Sequence, residues 1–248
     1  MENLFTLKGK KILVTGASSG IGKAIAIQTS QQGAELIIVG RDNERLENTK
    51  ILLNNNTGNI TVSCDLTSTV SLDNLVASLE PLDGLVLNAG FVKLSPIAFI
   101  NDDVVDQIFE TNIKSNIKLV QRLIKSKKLK KGASIVFISS ISTQKSTMGN
   151  AVYNASKGAV NAFVKSLALE MANKKIRANA ILPGFVPTEI LNDNPVSKED
   201  LDLHQKNYPL GRYGTPEDIA YLAIYLLSDQ SQWMTGSLIN LDGGFSLK

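Results

Sequence analysis

The chain has 248 residues, 43% of them hydrophobic, and its 26 Lys and Arg against 23 Asp and Glu give a net charge of +3. Charges of both signs are mixed along the sequence, which does not suggest a nucleic-acid-binding protein. No apolar run reaches the roughly 18 residues of a membrane span, and the amino terminus lacks the layout of a signal peptide. We therefore expect one large α/β domain over residues 1–248 in a cytoplasmic setting.

The cysteine and histidine content narrows the chemistry further. Cys64 is the single cysteine, so it excludes an internal disulfide framework. Its position near the end of a predicted strand favours a small buried apolar residue. No His, Cys and Asp residues cluster at metal-ligand spacing, and we expect no catalytic metal.

A glycine-rich turn follows the first predicted strand, Lys11 to Val14. Its three glycines, Gly16, Gly20 and Gly22, follow the pattern Gly-x-x-x-Gly-x-Gly. Glycines at this spacing let a strand turn sharply into a helix and let backbone come close to a pyrophosphate. The free N–H groups of a helix starting near Ile21 would then bind the anion. An ordinary tight turn is the alternative interpretation.

The remaining chain alternates strand-like and helix-like segments, which indicates a parallel sheet covered by helices on both faces. Predicted helices span Gly20 to Gln32, Asp42 or Asn43 to about Asn54, Asp102 to Leu129, Asn154 to Met171 and Pro216 to Leu227. Ligands bind at the carboxyl edge of such a sheet. Residues that follow predicted strands, and so line this edge, are Gly16, Gly40, Asp65, Asn88, Ser140 and Pro183.

Tyr153 and Lys157 lie four residues apart, one turn apart on the same helix face. A free tyrosine titrates near a pKa of ~10, and a nearby ammonium lowers that pKa by favouring the phenolate. The pair would make a usable proton donor and acceptor. A half-buried tyrosine and a solvated lysine without chemistry are the alternative.

Two further polar residues stand near this pair. Ser140 ends the fifth predicted strand, where its hydroxyl could bind a substrate carbonyl oxygen, although Ser139 competes for that role. Asn112 interrupts a helical stretch, where a short amide often opens a turn and holds a water. An ordinary surface asparagine is the alternative.

Several motifs in this order resemble the short-chain dehydrogenase/reductase family in its compact single-domain form. They are TGASSGIG, NAG at Asn88, Asn112, Ser140, Tyr153-x-x-x-Lys157 and PGFVPT from Pro183, and they cover nearly the whole chain. The resemblance implies a Rossmann-type, doubly wound parallel sheet of about seven strands and a nicotinamide cofactor. Against the family pattern the segment from Asp65 to Asn88 is short, which puts the helix between strands 3 and 4 in doubt.

The resemblance also implies a catalytic tetrad of Asn112, Ser140, Tyr153 and Lys157. Tyr153 would transfer the proton and Ser140 would orient the carbonyl. Lys157 would bind the nicotinamide ribose and tune the tyrosine, and Asn112 would hold a relay water. In such enzymes the cofactor supplies the hydride, whereas the protein supplies position and charge.

By the same resemblance, Asp65 meets the adenine, Asn88 and Gly90 meet the adenosine ribose side, and Val186 and Thr188 lie near the nicotinamide. Turn residues and helix caps are the alternative interpretation. The expected cofactor-binding residues are Gly16, Ser18, Ser19, Gly20, Ile21, Arg41, Asp65, Leu66, Asn88, Ala89, Gly90, Tyr153, Lys157, Pro183, Gly184, Val186 and Thr188.

The end of the second strand indicates which cofactor binds. An NAD site places an acid there for the ribose 2′-hydroxyl, whereas a 2′-phosphate needs an arginine. The sequence has Gly40-Arg41 at this point, and Arg41 offers a bidentate fork to a phosphate. Asp42 would supply an acid if the alignment shifted. We expect NADP(H) rather than NAD(H).

The carboxyl-terminal part resembles the 3-oxoacyl-[acyl-carrier-protein] reductase branch and its sugar, polyol and steroid relatives, so the expected substrate is a small-molecule or acyl-thioester carbonyl. Residues 188–208 would form a short helical lid, with His204 as a solvated residue. The basic run Lys125 to Lys131 and a second group at Lys174, Lys175 and Arg177 could dock an acyl carrier protein. Alternatively, the run marks a helix end before Gly132.

The last helix and strand, with Trp233 nearby, resemble the subunit contacts of the family. They imply a homotetramer or homodimer, although Trp233 could equally belong to the core. A sugar or polyol dehydrogenase working in oxidation and a non-catalytic nucleotide-sensing regulator are the alternative functions.

Overall fold

The computed structural model describes residues 4–54, 58–188 and 197–248. Seven parallel strands form one sheet in the order β3-β2-β1-β4-β5-β6-β7. The strands are β1 Lys11–Thr15, β2 Glu35–Gly40, β3 Ile60–Ser63, β4 Leu82–Leu87, β5 Leu129–Ile138, β6 Arg177–Pro183 and β7 Leu238–Leu241. The α-helices are α1 Gly20–Gln31, α2 Asn43–Lys50, α3 Thr69–Ser78, α4 Asp102–Phe109, α5 Ser115–Lys125, α6 Ala151–Met171, α7 Lys198–Gln205 and α8 Pro216–Leu227.

Each face of the sheet has its own apolar core, because successive side chains of a strand point to opposite faces. In β1, Leu13 packs on one face, whereas Ile12 and Val14 pack on the other. Helices α3, α5 and α6 cover the first face, and α1, α2 and α8 cover the second. The predicted doubly wound α/β fold is therefore confirmed.

The strand order reverses at β1, which pairs with β2 on one side and with β4 on the other. In an open parallel sheet such a switch point opens a crevice beyond the carboxyl ends of the two central strands, where ligands bind. Gly16 follows β1 and Asn88 follows β4 directly, so both stand at the crevice. Ser140 lies two residues beyond β5 at the same edge.

The helix between β3 and β4, doubtful from the sequence, is present as α3. Ser68 caps it by accepting a hydrogen bond from the backbone N–H of Ser71 at 3.3 Å. Leu72, Leu75 and Val76 pack it against the sheet. The ten residues of α3 therefore belong to the crossover from β3 to β4, two strands that are separated in the sheet by β2 and β1.

The prediction of a helical stretch from Asp102 to Leu129, broken in character around Thr111-Asn112, was wrong in its last turn. Helix α5 ends at Lys125, Lys127 adopts a left-handed φ of 54°, and strand β5 begins at Leu129. Leu129 is 8% exposed and pairs with Leu82, so burial of this leucine draws the segment into the sheet. The basic run therefore begins at a helix end, with Lys125 in the last turn of α5, and it continues into β5 before Gly132.

Both basic groups lie at the amino edge of the sheet, away from Ser140. Lys131 belongs to the first residues of β5, Lys174 precedes β6, and Arg177 opens β6. Arg177 is 8% exposed and donates to the Leu226 carbonyl at 2.8 Å. Carrier docking would require both groups near Ser140, at the carboxyl edge of the sheet. Within one chain they lie at the opposite edge.

Trp233 is fully exposed at the surface, so its assignment to the core was wrong. Leu169 on α6 and Tyr221 on α8 are also largely exposed. Cys64 is buried and unpaired, as predicted. Among the helices of the described ranges, none combines the length and apolar character that crossing a membrane requires.

We expect Leu123→Ala to lower the free energy of unfolding by about 2–5 kcal/mol, because the substitution leaves a cavity under α5. Leu123 is fully buried in the core of the α3, α5 and α6 face. Chemical denaturation measured by circular dichroism tests this expectation. Leu52→Ala, at a leucine that is 51% exposed, is the matched control and should cost under about 1 kcal/mol. Equal losses in the two variants would contradict the assigned core.

Candidate active site

The glycine turn after β1 is packed so tightly that side chains are excluded from it. A Cβ on Gly22 would lie 2.2 Å from the Gly16 carbonyl oxygen, and Gly16 itself has a left-handed φ of 64°. Ser19 precedes α1 in an extended conformation and its side chain makes no capping hydrogen bond. The turn therefore leaves the backbone at the start of α1 open to an anion, as the sequence predicted.

Asn88 holds this turn in place from the end of β4. Its side-chain amide donates to the carbonyl oxygens of Gly16 at 3.1 Å and Thr15 at 3.3 Å. The Thr15 hydroxyl in turn accepts the backbone N–H groups of Asn88 at 3.0 Å and Ala89 at 3.2 Å. The amide of Asn88 is thus committed to the backbone, and Thr15, which sequence reasoning missed, is its counterpart.

The crevice beyond β2 carries the residues that would contact an adenosine. Ser18 lies beside Gly40, with its Oγ 3.4 Å from the position of a Cβ on that glycine. Arg41 is exposed at the same strand end. Asp42 caps α2, because its carboxylate accepts the backbone N–H of Arg45 at 3.0 Å. Asp42, the acid that could have indicated NAD(H), therefore already accepts a hydrogen bond within the chain.

Asp65 lies next to these residues, two positions after β3, the strand that pairs with β2. Its carboxylate accepts the hydroxyl of Thr67 at 2.7 Å and the backbone N–H of Thr67 at 2.9 Å. These hydrogen bonds, together with the nearby charge of Arg41, lower the pKa of Asp65 below its ordinary value. Arg41 therefore lies within electrostatic reach of an ionised carboxylate. Leu66, the next residue, is buried.

The segment after β6 closes the other side of the crevice. Thr188 lies against the start of α1, where its Cγ2 is 3.1 Å from the position of a Cβ on Gly20. Gly184 follows Pro183 and donates its N–H to the Leu241 carbonyl at 3.0 Å. The structure thus brings the PGFVPT segment to the glycine turn. The predicted lid from 188 to 208 lies partly outside the described residues, and helix α7 is the described part of it.

Tyr153 and Lys157 share one face of α6, as their spacing predicted. The Lys157 Nζ lies 5.7 Å from the centre of the Tyr153 ring and donates to the Ile138 carbonyl at 2.8 Å. Burial lowers the pKa of Lys157 to about 8. Burial also raises the pKa of Tyr153, and a side-chain hydrogen bond with Ser140 partly opposes this rise. The predicted lowering of the tyrosine pKa by the ammonium is therefore not found in the protein without ligand, because desolvation of the phenol dominates.

The structure separates the roles of the two serines after β5. Ser139 is 3% exposed and donates its hydroxyl to the Asn161 side chain at 2.7 Å, so it faces α6. Ser140 is half-buried, and its hydroxyl is close enough to that of Tyr153 to favour the phenolate by hydrogen bonding. Ser140 is therefore the serine beside the tyrosine, as preferred from the sequence.

Asn112 lies in a π-helical turn, Glu110–Lys114, between α4 and α5. Its amide accepts the Phe91 N–H at 2.7 Å and donates to the Phe91 carbonyl at 2.9 Å and to the Ser156 hydroxyl at 3.0 Å. The backbone carbonyl of Asn112 accepts a hydrogen bond from the Asn116 side-chain amide at 2.7 Å. The side chain is fully buried, so the surface-asparagine alternative is wrong. A relay water at Asn112 stays a prediction.

Gly90 brings the cofactor and catalytic sides of the crevice together. A Cβ on Gly90 would lie 3.5 Å from both the Asn112 Oδ1 and the Lys157 Nζ. Within the described residues, no three His, Cys, Asp or Glu side chains are grouped as metal ligands. The crevice therefore combines a cradle for a dinucleotide phosphate with hydroxyl donors and an ammonium.

An aromatic cluster stands beside the crevice and includes His204 of helix α7. The His204 ring lies 5.8 Å from Phe185 and 5.6 Å from Phe245, centre to centre, and its Nδ1 is 3.0 Å from the Tyr213 hydroxyl oxygen. The expectation of a solvated histidine was wrong, because four aromatic rings pack around the half-buried imidazole, those of Phe185, Tyr208, Tyr213 and Phe245. Tyr208, 3% exposed, completes the cluster and accepts the Phe185 N–H at 2.9 Å.

Comparison with known proteins gives consistent matches over nearly the full length. A family model described as enoyl-(acyl carrier protein) reductase matches residues 16–246. The 3-oxoacyl-[acyl-carrier-protein] reductase FabG of Rickettsia bellii is 37% identical over 242 residues, which cover 97% of this chain and 98% of the relative.

Two solved structures match with similar coverage. The Pseudomonas aeruginosa RhlG/NADP active-site complex is 29% identical with a TM-score of 0.90, over 99% of this chain and 100% of that one. A putative gluconate dehydrogenase from Agrobacterium tumefaciens is 28% identical with a TM-score of 0.92, over 99% of each chain.

The buried charge of Lys157 predicts a measurable effect of pH on stability. Because its pKa falls from 10.5 to about 8 on folding, the ammonium destabilises the folded state below pH ~8, and this cost disappears by pH ~10.5. We expect Lys157→Met to raise the free energy of unfolding at pH 7 by up to about 3 kcal/mol, less the lost hydrogen bond to Ile138. The gain should shrink as the pH rises from 8 toward 10.5.

Denaturant titrations at several pH values measure this effect. Lys165→Met is the matched control, because Lys165 lies on the same helix and is exposed. A gain of the same size at pH 7 and pH 10, or a gain in both variants, would show that desolvation of Lys157 is not its cause.

Proposed function

Because the chain belongs to the short-chain dehydrogenase/reductase family, we propose that it reduces the ketone of a 3-oxoacyl thioester with NADPH. It is an oxidoreductase that interconverts C=O and CH–OH. The observation that carries the proposed chemistry is the placement of the Ser140 and Tyr153 hydroxyls close to each other and to the buried ammonium of Lys157. This pair can receive a carbonyl oxygen and protonate it.

The nicotinamide cofactor, when bound, supplies the hydride that adds to the carbonyl carbon. Ser140 donates a hydrogen bond to the carbonyl oxygen and orients it. Tyr153 transfers its phenolic proton to that oxygen as the C=O bond becomes C–O–H, so a phenolate remains on the protein. Lys157 stabilises this phenolate by its charge and binds the ribose. Asn112 holds the loop at Phe91 against the catalytic helix and binds the relay water.

The dinucleotide would lie along the crevice with its pyrophosphate on Gly16, Ser19, Gly20 and Ile21. Tight packing that excludes side chains at Gly16 and Gly22 supports this placement. Residues on the adenosine side are Ser18, Arg41, Asp65, Leu66, Asn88, Ala89 and Gly90, and those toward the nicotinamide are Pro183, Gly184, Val186 and Thr188. Residues 1–248 then act as one catalytic domain with a lid over 188–208.

NADP(H) is favoured over NAD(H) by the end of β2. Arg41 stands there exposed, and Asp42 already accepts a helix N–H. A guanidinium binds a 2′-phosphate through charge-assisted hydrogen bonds. The RhlG structure is an NADP complex by its title, which agrees with this choice.

An acyl thioester is favoured over a polyol by the curated relatives, several of which are named 3-oxoacyl-[acyl-carrier-protein] reductases. The relative's name extends the proposal to a thioester on an acyl carrier protein. The basic groups at the amino edge do not support docking of that carrier within one chain.

A homotetramer or homodimer in the cytoplasm completes the proposal. Exposed apolar side chains at Trp233, at Leu169 on α6 and at Tyr221 on α8 support association of copies, because contact with another chain would remove them from water.

We expect the purified protein to oxidise NADPH with acetoacetyl thioesters faster than with ketoses, cyclic ketones or crotonyl thioesters. Tyr153→Phe should lower the turnover rate by about 10²- to 10⁴-fold, because the carbonyl oxygen loses its proton donor. Absorbance at the reduced-nicotinamide band measures the rate. Fluorescence titration should show nucleotide affinity within about twofold of the parent.

Three outcomes would contradict the proposal. A rate confined to sugars would leave the polyol alternative. Nucleotide binding without turnover of any carbonyl would favour the regulator. Normal turnover by Tyr153→Phe would remove the assigned proton donor.

We expect Arg41→Ala to raise the KM for NADPH by about 10- to 100-fold, because a charge-assisted bond to the phosphate is lost. The KM for NADH should stay within about twofold, since that cofactor lacks the phosphate. Steady-state kinetics with each cofactor test this difference. The control is Arg122→Ala, which removes an arginine of α5 that pairs with Asp73 of α3. Equal losses with both cofactors, or a parent that prefers NADH, would refute the NADPH assignment.

A further inference from the structure

Ser142 holds the hydroxyl oxygen of Ser140 through two hydrogen bonds. It follows Ser140 in a short 3₁₀ turn, Ile141–Thr143. Its backbone N–H donates to the Ser140 Oγ at 3.1 Å, and its hydroxyl donates to the same atom at 2.8 Å. Ser142 is 8% exposed, so water competes little for these bonds. Sequence reasoning gave this residue no role.

The two bonds limit what the Ser140 hydroxyl can do. A serine hydroxyl has one proton to donate and two lone pairs that accept. Because Ser142 fills both acceptor positions, the proton of Ser140 is what remains for a partner. Tyr153 is the partner found beside it. In this arrangement Ser140 can donate toward the reaction centre but has no lone pair left to accept there.

We propose that Ser142 is a positioning residue that makes Ser140 an obligate hydrogen-bond donor to the oxygen at the reaction centre. This inference rests on the proposed function, in which that oxygen belongs to the substrate carbonyl. A hydroxyl that accepts hydrogen bonds is also a stronger donor, because chained hydrogen bonds polarise one another. Ser142 thus contributes to the transition state, where negative charge grows on the carbonyl oxygen.

The backbone around Ser140 is held by other residues. Thr143 donates its hydroxyl to the Ser140 carbonyl at 2.9 Å, and the Asn161 side chain donates to the Thr143 hydroxyl at 3.1 Å. Asn161 also accepts the Ser139 hydroxyl. Removal of the Ser142 hydroxyl would therefore change the bonding of the Ser140 hydroxyl and leave these backbone contacts in place.

The test compares Ser142→Ala with the parent on whichever carbonyl compound the parent reduces fastest. We expect kcat to fall about five- to tenfold, which is the scale of one lost hydrogen bond to a polar group. The KM and the nucleotide affinity should stay within about twofold, since Ser140 acts on charge that develops in the transition state. Ser142→Thr keeps a hydroxyl and should recover most of kcat.

A double-mutant cycle separates a positioning role from a structural one. If Ser142 acts through Ser140, Ser142→Ala should cause no further loss of kcat in a Ser140→Ala background. If Ser142 had only a structural role, Ser142→Ala would lower kcat by the same factor in the Ser140→Ala background as in the parent. Ser78→Ala, which removes a hydroxyl bonded to the Leu75 carbonyl on α3, is the matched control and should keep full activity.

Three results would overturn the inference. They are full kcat in Ser142→Ala, an equal loss in the Ser140→Ala background, and a loss confined to KM. If circular dichroism shows that Ser142→Ala fails to fold, Ser142→Cys replaces it in the same comparisons, because a thiol is only a weak hydrogen-bond donor and keeps a side chain of similar size. Because the substrate is the parent's own best carbonyl compound, failure of the thioester assignment would leave this test intact.

Discussion

The contact between Asn88 and the glycine turn joins the two central strands at the place where the sheet order reverses. Its amide spans from β4 to the carbonyl oxygens of Thr15 and Gly16. Because Gly22 packs against the same carbonyl, with no room for a Cβ, strand, turn and helix α1 take up one arrangement. The dinucleotide crevice, and the distance from it to the catalytic helix, follow from that arrangement.

Burial of Tyr153 and Lys157 in this crevice lowers the stability of the folded protein when these groups are charged. Burial works against the charged form of both Tyr153 and Lys157. A bound cofactor would add charge and hydrogen bonds beside these groups, so their titration belongs to the complex as much as to the protein. Functional sites often store free energy in this way, because the surrounding fold stabilises what the site destabilises.

Local chemistry made part of this structure predictable from the sequence. The glycine turn, the Asp42 cap, the Tyr153 and Lys157 face and helix α8 each depend on residues close together in the chain. By contrast, the roles of Thr15 and Ser142 depend on hydrogen bonds that exist only after folding. The surroundings of His204 include Phe185 and Phe245, which folding brings to it from other parts of the chain. The end of α5 was decided by burial of Leu129 in the sheet, which overrides helix propensity.

The π turn at Asn112 also determines which sides of α4 and α5 face the protein interior. Buried positions recur every four residues through Val104, Ile108, Asn112 and Asn116. In a helix of 3.6 residues per turn, three such steps would carry the buried stripe about 120° around the axis. The wider π turn absorbs this drift, so α4 and α5 keep one side toward the protein interior. The same added residue thus has two results. It places the amide of Asn112 inside the crevice, and it keeps the buried sides of α4 and α5 aligned.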